Sequence, residues 1–159
     1  MKNLLIKYTI IGIFVCIFIV FLDQITKSWA IKTLYHSIQI TSFFSLTLSF
    51  NYGISFGILN KPDQQQIILI IIAICIIFSL IFSLIKMQNK STLLIIAFSF
   101  IIGGAISNVI DRLVYGAVID FLDFHYGKYF FPIFNIADIA ICCGVGLLIM
   151  KETLLKEEI

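Results

Sequence analysis

Four apolar runs, at residues 4–22, 67–85, 92–110 and 134–150, leave this 159-residue chain little choice of solvent. As helices rising ~1.5 Å per residue, the second and third are about 28 Å long, enough to cross a hydrocarbon core of about 30 Å. The first and fourth meet Asp23 and Asp138 at their ends. Hydrophobic residues make up 60% of the chain, well above a soluble domain. We therefore expect one integral membrane domain over 1–159. Its helices should fall at about 4–30, 65–86, 91–112 and 134–151.

The N-terminal MKNLLIK and the apolar run after it have the look of a secretory signal, but no small-x-small cleavage site follows before Asp23. A retained first helix is expected. The net charge of +2 is small and scattered, which argues against nucleic acid as a partner. Cys16, Cys75, Cys142 and Cys143 lie in apolar runs without zinc-ligand spacing and read as small buried hydrophobes.

Polar residues inside such a chain need partners, because an acid near the middle of a membrane helix costs roughly 2.5 to 3.5 kcal/mol. They concentrate in GGAISNVIDRLVYGAVIDFLDFHYGKYFFPIFNIAD, residues 103–138. Asp23 and Lys27, four apart, share a helix face and suit an ion-pair clamp. Asn108, Asp111 and Arg112 share a face beyond the small residues Gly103, Gly104, Ala105 and Ser107, which permit close helix approach; Asp111 and Arg112 suit a helix-end ion network. Asn135 and Asp138 have the spacing of an N-cap and an N3 acid. Taken singly, each of these groups has a structural explanation.

Between the first two helices, residues 44–51 alternate, with Phe44, Leu46, Leu48 and Phe50 on one side and Ser45, Thr47, Ser49 and Asn51 on the other. A strand with one apolar face is expected within a segment at 38–60, with Gly53 and Gly57 marking a bend and Lys61, Pro62 and Asp63 closing it. Residues 113–133 are expected to form a loop, in which Gly116 and Gly127 would hinge a mobile lid. His36 and His125 read as surface or interfacial residues. The tail after Met150 is expected to be solvated.

The short KMQNK loop at 86–90 has two lysines and no acid, which by the positive-inside rule puts it and both termini in the cytoplasm. With four spans, Asp23, Asn51, Asn108, Asp111, Arg112, Asp120 and Asp138 then collect at the opposite, extracytoplasmic face. An odd number of spans would scatter them.

DQITK at Asp23, NYGISFGIL at Asn51, GGAISNVIDR at Gly103, VIDF at Asp120 and FPIFNIAD at Phe131 together resemble lipoprotein signal peptidase, the bacterial signal peptidase II family of aspartic intramembrane proteases. The five blocks occur in the family's order and cover nearly the whole chain. One departure is Ile54 and Ser55, where the family usually has two small residues. The resemblance implies four transmembrane helices with a small extracytoplasmic β-sheet, in the bacterial inner membrane. It also implies an enzyme that cleaves signal peptides from prolipoproteins before a diacylglyceryl-modified cysteine. By residue-by-residue match, the catalytic pair falls on Asp120 and Asp138. Asn51, Asn108, Arg112 and Asn135 fall on positions that line or support the site, and Asp23, Lys27 and Asp111 on positions that hold it together. The implied partners are lipidated prolipoproteins, membrane lipid and cyclic peptide inhibitors of the globomycin type. No cofactor or metal is implied.

Two carboxylates sharing a site hold a single proton between them near neutrality, so one can act as base and the other as acid. The chain has no HExxH helix and no GxSxG-like serine with a partner histidine. Two other classes compete. An ion or proton transporter would spread its acids through the membrane depth, and an assembly factor with a polar clamp would tolerate Asp120→Asn.

Overall fold

The computed structural model describes residues 2–53, 62–87 and 91–156. The sequence expectations that touch Ile54, Ser55, Gly57, Lys61 and Lys90 lie outside the described residues. Among the described residues, four helices and four strands follow the order α1 (Lys2–Thr33), β1 (Ile38–Thr41), β2 (Phe44–Asn51), α2 (Pro62–Lys86), α3 (Thr92–Tyr115), β3 (Val118–Tyr126), β4 (Tyr129–Phe130) and α4 (Ile136–Lys156). Among the described residues three helical stretches are long and apolar enough to cross a membrane: Ile6–Thr33, Gln65–Lys86 and Thr92–Tyr115. The 21 residues of α4 span about 31 Å at ~1.5 Å per residue. They pack along α3 to complete the bundle.

Helix α3 is the axis of the molecule. Of its apolar stretch 61% is buried, against none of that of α2, because α1, α2 and α4 all pack upon it. Its ends are set by sequence. Ser91 caps the start, its hydroxyl accepting from the Leu94 N–H, and Gly116 ends it in the left-handed region at φ 68°, donating its N–H to the Arg112 carbonyl. Glycines let α4 lie close. A Cβ at Gly104 would stand 2.5 Å from the Ala137 carbonyl oxygen, and one at Gly144 would stand 2.6 Å from that of Ala97. Helix α2 packs chiefly on α3 alone. Near its start it is tied to the strand segment by the Gln66 amide, which donates to the Tyr52 carbonyl at 2.7 Å.

The strands form one antiparallel sheet in the order β1-β2-β3-β4. Leu46 and Leu48 of β2 pack with Phe121 and Leu122 against Ala30, Leu34 and Ile136, so the sheet sits over the end of α1 and the start of α4. A bulge between Leu46 and Ser49 breaks the strict alternation. Ser45 on the expected polar face is buried, and Phe50, beyond the bulge, is exposed.

Three expectations are corrected. Residues 113–133 are not a loop: β3 and β4 occupy most of the segment, and β3 pairs with β2 from Phe44↔Phe124 to Asn51↔Val118. Val118 to Phe121 are buried on both faces, so β3 shows no apolar alternation to betray it. Second, the charged tail does not leave the helix at 151, since α4 continues to Lys156. Third, Cys75, Cys142 and Cys143 are exposed on the outer surface of the helices rather than buried, and Cys16 is half-buried.

Candidate active site

Helix α1 brings Asp23, Gln24 and Lys27 to the sheet end of the bundle, and α3 brings Ser107, Asn108, Asp111 and Arg112. Lys27 is 1% exposed, and Asp23 and Asp111 are fully buried. The Lys27 ammonium lies 2.6 Å from Asp23 Oδ2 and 2.6 Å from Asp111 Oδ2, and donates to Asn108 Oδ1 at 2.9 Å. A buried ammonium needs this full complement of acceptors.

The two carboxylates held by Lys27 also reach outward. Asp23 Oδ1 accepts the Ala137 N–H at 2.8 Å, and Asp111 Oδ2 accepts the Ile119 N–H at 3.2 Å. Ala137 immediately precedes Asp138, and Ile119 immediately precedes Asp120. One ammonium thus fixes two carboxylates, and each carboxylate fixes the backbone next to one of the remaining aspartates.

Those two aspartates converge on Asn135. Its side-chain amide donates to Asp120 Oδ1 at 2.7 Å, and its backbone N–H donates to Asp138 Oδ2 at 3.3 Å. Its Oδ1 accepts the Asp138 N–H at 2.9 Å, which completes a reciprocal cap on α4. Each aspartate has a second amide partner. Asn51 donates to Asp120 Oδ2 at 3.0 Å, and Asn108 donates to Asp138 Oδ1 at 3.0 Å. Arg112 donates from Nη1 to the Asn108 carbonyl at 3.4 Å.

Burial pushes the Asp120 carboxyl up to about 6. The Asn51 hydrogen bond opposes that rise, the Asp138 charge adds to it, and the Asn135 hydrogen bond opposes it again. Around the pair, four carboxyl groups face two cations, Lys27 and Arg112. Such a balance favours a proton on one carboxyl.

A family model described as signal peptidase (SPase) II matches residues 15–154, nearly the whole chain. The chain belongs to the signal peptidase II family. It is 45% identical over 132 residues to a lipoprotein signal peptidase of Pasteurella multocida, covering 81% of this chain and 80% of the relative. A lipoprotein signal peptidase of Yersinia enterocolitica is 40% identical over 142 residues, covering 87% and 84%. A solved bacterial membrane enzyme structure at 1.9 Å resolution superposes with a TM-score of 0.79 at 34% identity, over 88% of this chain and 90% of that one. Membership makes the chain a peptidase embedded in the membrane, which speaks against the transporter and assembly-factor readings.

In this signal peptidase II chain, all nine residues singled out from the sequence occupy one site: Asp23, Lys27, Asn51, Asn108, Asp111, Arg112, Asp120, Asn135 and Asp138. Two further residues belong to it. The Gln24 amide donates to Asp111 Oδ1 at 2.7 Å and to Ser107 Oγ at 3.0 Å, and the Ser107 hydroxyl donates to Asp23 Oδ2 at 2.7 Å. Ser107 sits one turn before Asp111, a signal available in the sequence. Gln24 lies about 100° around the helix from Asp23, off the charged face, and only its α3 partners reveal it. Asp123 stands apart, accepting from the Thr47 hydroxyl at 3.0 Å with His125 beside it at 3.8 Å.

Proposed function

We propose that this enzyme removes the signal peptide from diacylglyceryl-modified prolipoproteins, cleaving before the lipidated cysteine with Asp120 and Asp138 as its catalytic pair. The observation that carries the reading is the double contact of Asn135, which touches both carboxyls while buried at the end of the bundle. The ionised member of the pair takes a proton from water, and the water oxygen attacks the scissile carbonyl carbon. The protonated member gives its proton to the carbonyl oxygen. The tetrahedral diol then collapses: the oxygen proton returns to one carboxylate, and the other carboxyl protonates the departing cysteine nitrogen. Products are a signal peptide with a new carboxylate and a lipoprotein with a free amine. No covalent enzyme species forms.

Asn51, Asn108, Asn135 and Arg112 act as donors that orient the pair and the substrate backbone. Asp23, Lys27 and Asp111 hold the elements that carry the pair. A diacylglyceryl group anchored in the outer leaflet would present the cleavage point at this end of the bundle, which fits an extracytoplasmic site with both termini in the cytoplasm. Lys86, at the other end of α2, and the lysine-rich sequence that follows it support that orientation. Cyclic peptides of the globomycin type are the expected inhibitor class.

Purified protein incubated with a synthetic lipidated precursor should release the signal peptide, and Asp120→Asn or Asp138→Asn should lower turnover by at least about 10²-fold with precursor binding retained. Turnover at wild-type rates in either variant would overturn the assignment.

A further inference from the structure

Helices α1 and α2 both flank α3 but do not close on each other, and the gap between them is a cavity of about 630 Å³. Gly12 and Cys16 of α1, Leu84 and Ile85 of α2, and Ile95 and Ile106 of α3 are among its walls, and no charged side chain lines it. Ile13, Ile17 and Ile85 on its walls are more than half exposed, so the gap is a groove open on the bundle's outer surface, and left unfilled its apolar walls would forfeit their dispersion contacts. The cavity is distinct from the aspartate site. Ile106 and Asn108 point about 160° apart around α3, at ~100° per residue.

Its dimensions and its mouth indicate the occupant. From Ile95 to Ile106 the wall rises about 17 Å at ~1.5 Å per residue, close to half of a hydrocarbon core of about 30 Å and therefore one leaflet deep. At the end of the groove away from the aspartates, exposed Lys7 precedes the lining residue Tyr8, and exposed Lys86, its ammonium 5.6 Å from the Phe82 ring centroid, follows the lining residue Ile85. Residues 2–22 hold no acid, and the acid of α2, Asp63, is at its other end.

We propose that this cavity holds an acyl chain of one anionic phospholipid from the leaflet opposite the aspartate pair, with Lys7 and Lys86 meeting its phosphate. The chain acts as a wedge that keeps α2 from closing on α1. In nanodiscs of equal phosphatidylglycerol and phosphatidylcholine, native mass spectrometry of the full-length protein should show one retained phosphatidylglycerol. Leu84→Trp, which fills the cavity, should lose the retained lipid; Lys7→Gln with Lys86→Gln should keep a lipid but lose the preference for phosphatidylglycerol. Retention that follows bilayer composition in the wild type, or that neither variant changes, would overturn the proposal. On the wild type, a phosphatidylglycerol with a diazirine in its acyl chain should label peptides holding 8–17 and 95–106. Equal labelling of Val145 and Ile149, both exposed on α4, would also overturn it.

Discussion

Asp120 and Asp138 are each held from three directions: by an asparagine amide, by Asn135, and through a neighbouring backbone N–H that a deeper carboxylate fixes. The deeper carboxylates share Lys27, so that residue governs both aspartates at once. Removing its charge leaves two buried acids uncompensated, a change that costs about 3–5 kcal/mol at buried pairs. Lys27→Met should therefore lower the melting temperature in detergent and abolish turnover, whereas Asp123→Asn should leave both nearly unchanged. Asp120 adds a pH signature. Its folded-state value of about 6 lies above the ordinary carboxyl value of 3.8, so the native state holds the extra proton between the two. The contribution of this group to stability falls as pH rises through that window and stays lost above it. The melting temperature of Asp120→Asn relative to wild type should accordingly climb between about pH 4 and 6 and then level off. Asn51 opposes the upward shift, so Asn51→Ala should move the associated limb of the kcat/KM profile to higher pH.

Among the elements, the contact between α3 and α4 sets where Asp138 stands. Gly104 faces the Ala137 carbonyl so closely that Gly104→Ala must push the first turn of α4 outward, while a Cβ at Gly146 would meet nothing within 4 Å. Overpacking of this kind costs about 1–3 kcal/mol. Gly104→Ala should thus depress turnover and melting temperature together, with Gly146→Ala close to wild type in both assays. The helices were legible in the sequence because lipid imposes long apolar runs, and β2 because residues 44–51 alternate. Strand β3 was hidden. Buried on both faces from Val118 to Phe121 and carrying Asp120 there, it has neither the alternation of a surface strand nor the continuous apolar run of a core strand. The aspartates themselves were legible only through the resemblance of five blocks to a family. Their individual spacings served capping and ion pairing equally well, and the structure shows Asn135 and Asp138 capping α4 at the same time as they belong to the site.

At the scale of the whole molecule, two groups of charges contrast. Those around Lys27 are enclosed by helices and sheet, and those at Lys7 and Lys86 stand in the open at the far end of the bundle. Mobile ions treat the two differently, since the screening length of about 8 Å at physiological ionic strength applies to exposed charges and hardly at all to enclosed ones. Raising sodium chloride toward 1 M, where that length falls to about 3 Å, should therefore leave peptide cleavage within about twofold of its low-salt rate. The same salt should erase the preference for anionic over zwitterionic lipid. If Asp120 and Asp138 are the catalytic pair proposed above, the reaction takes place among charges whose counterions are built into the protein, and its rate should be indifferent to the electrolyte that bathes the enzyme.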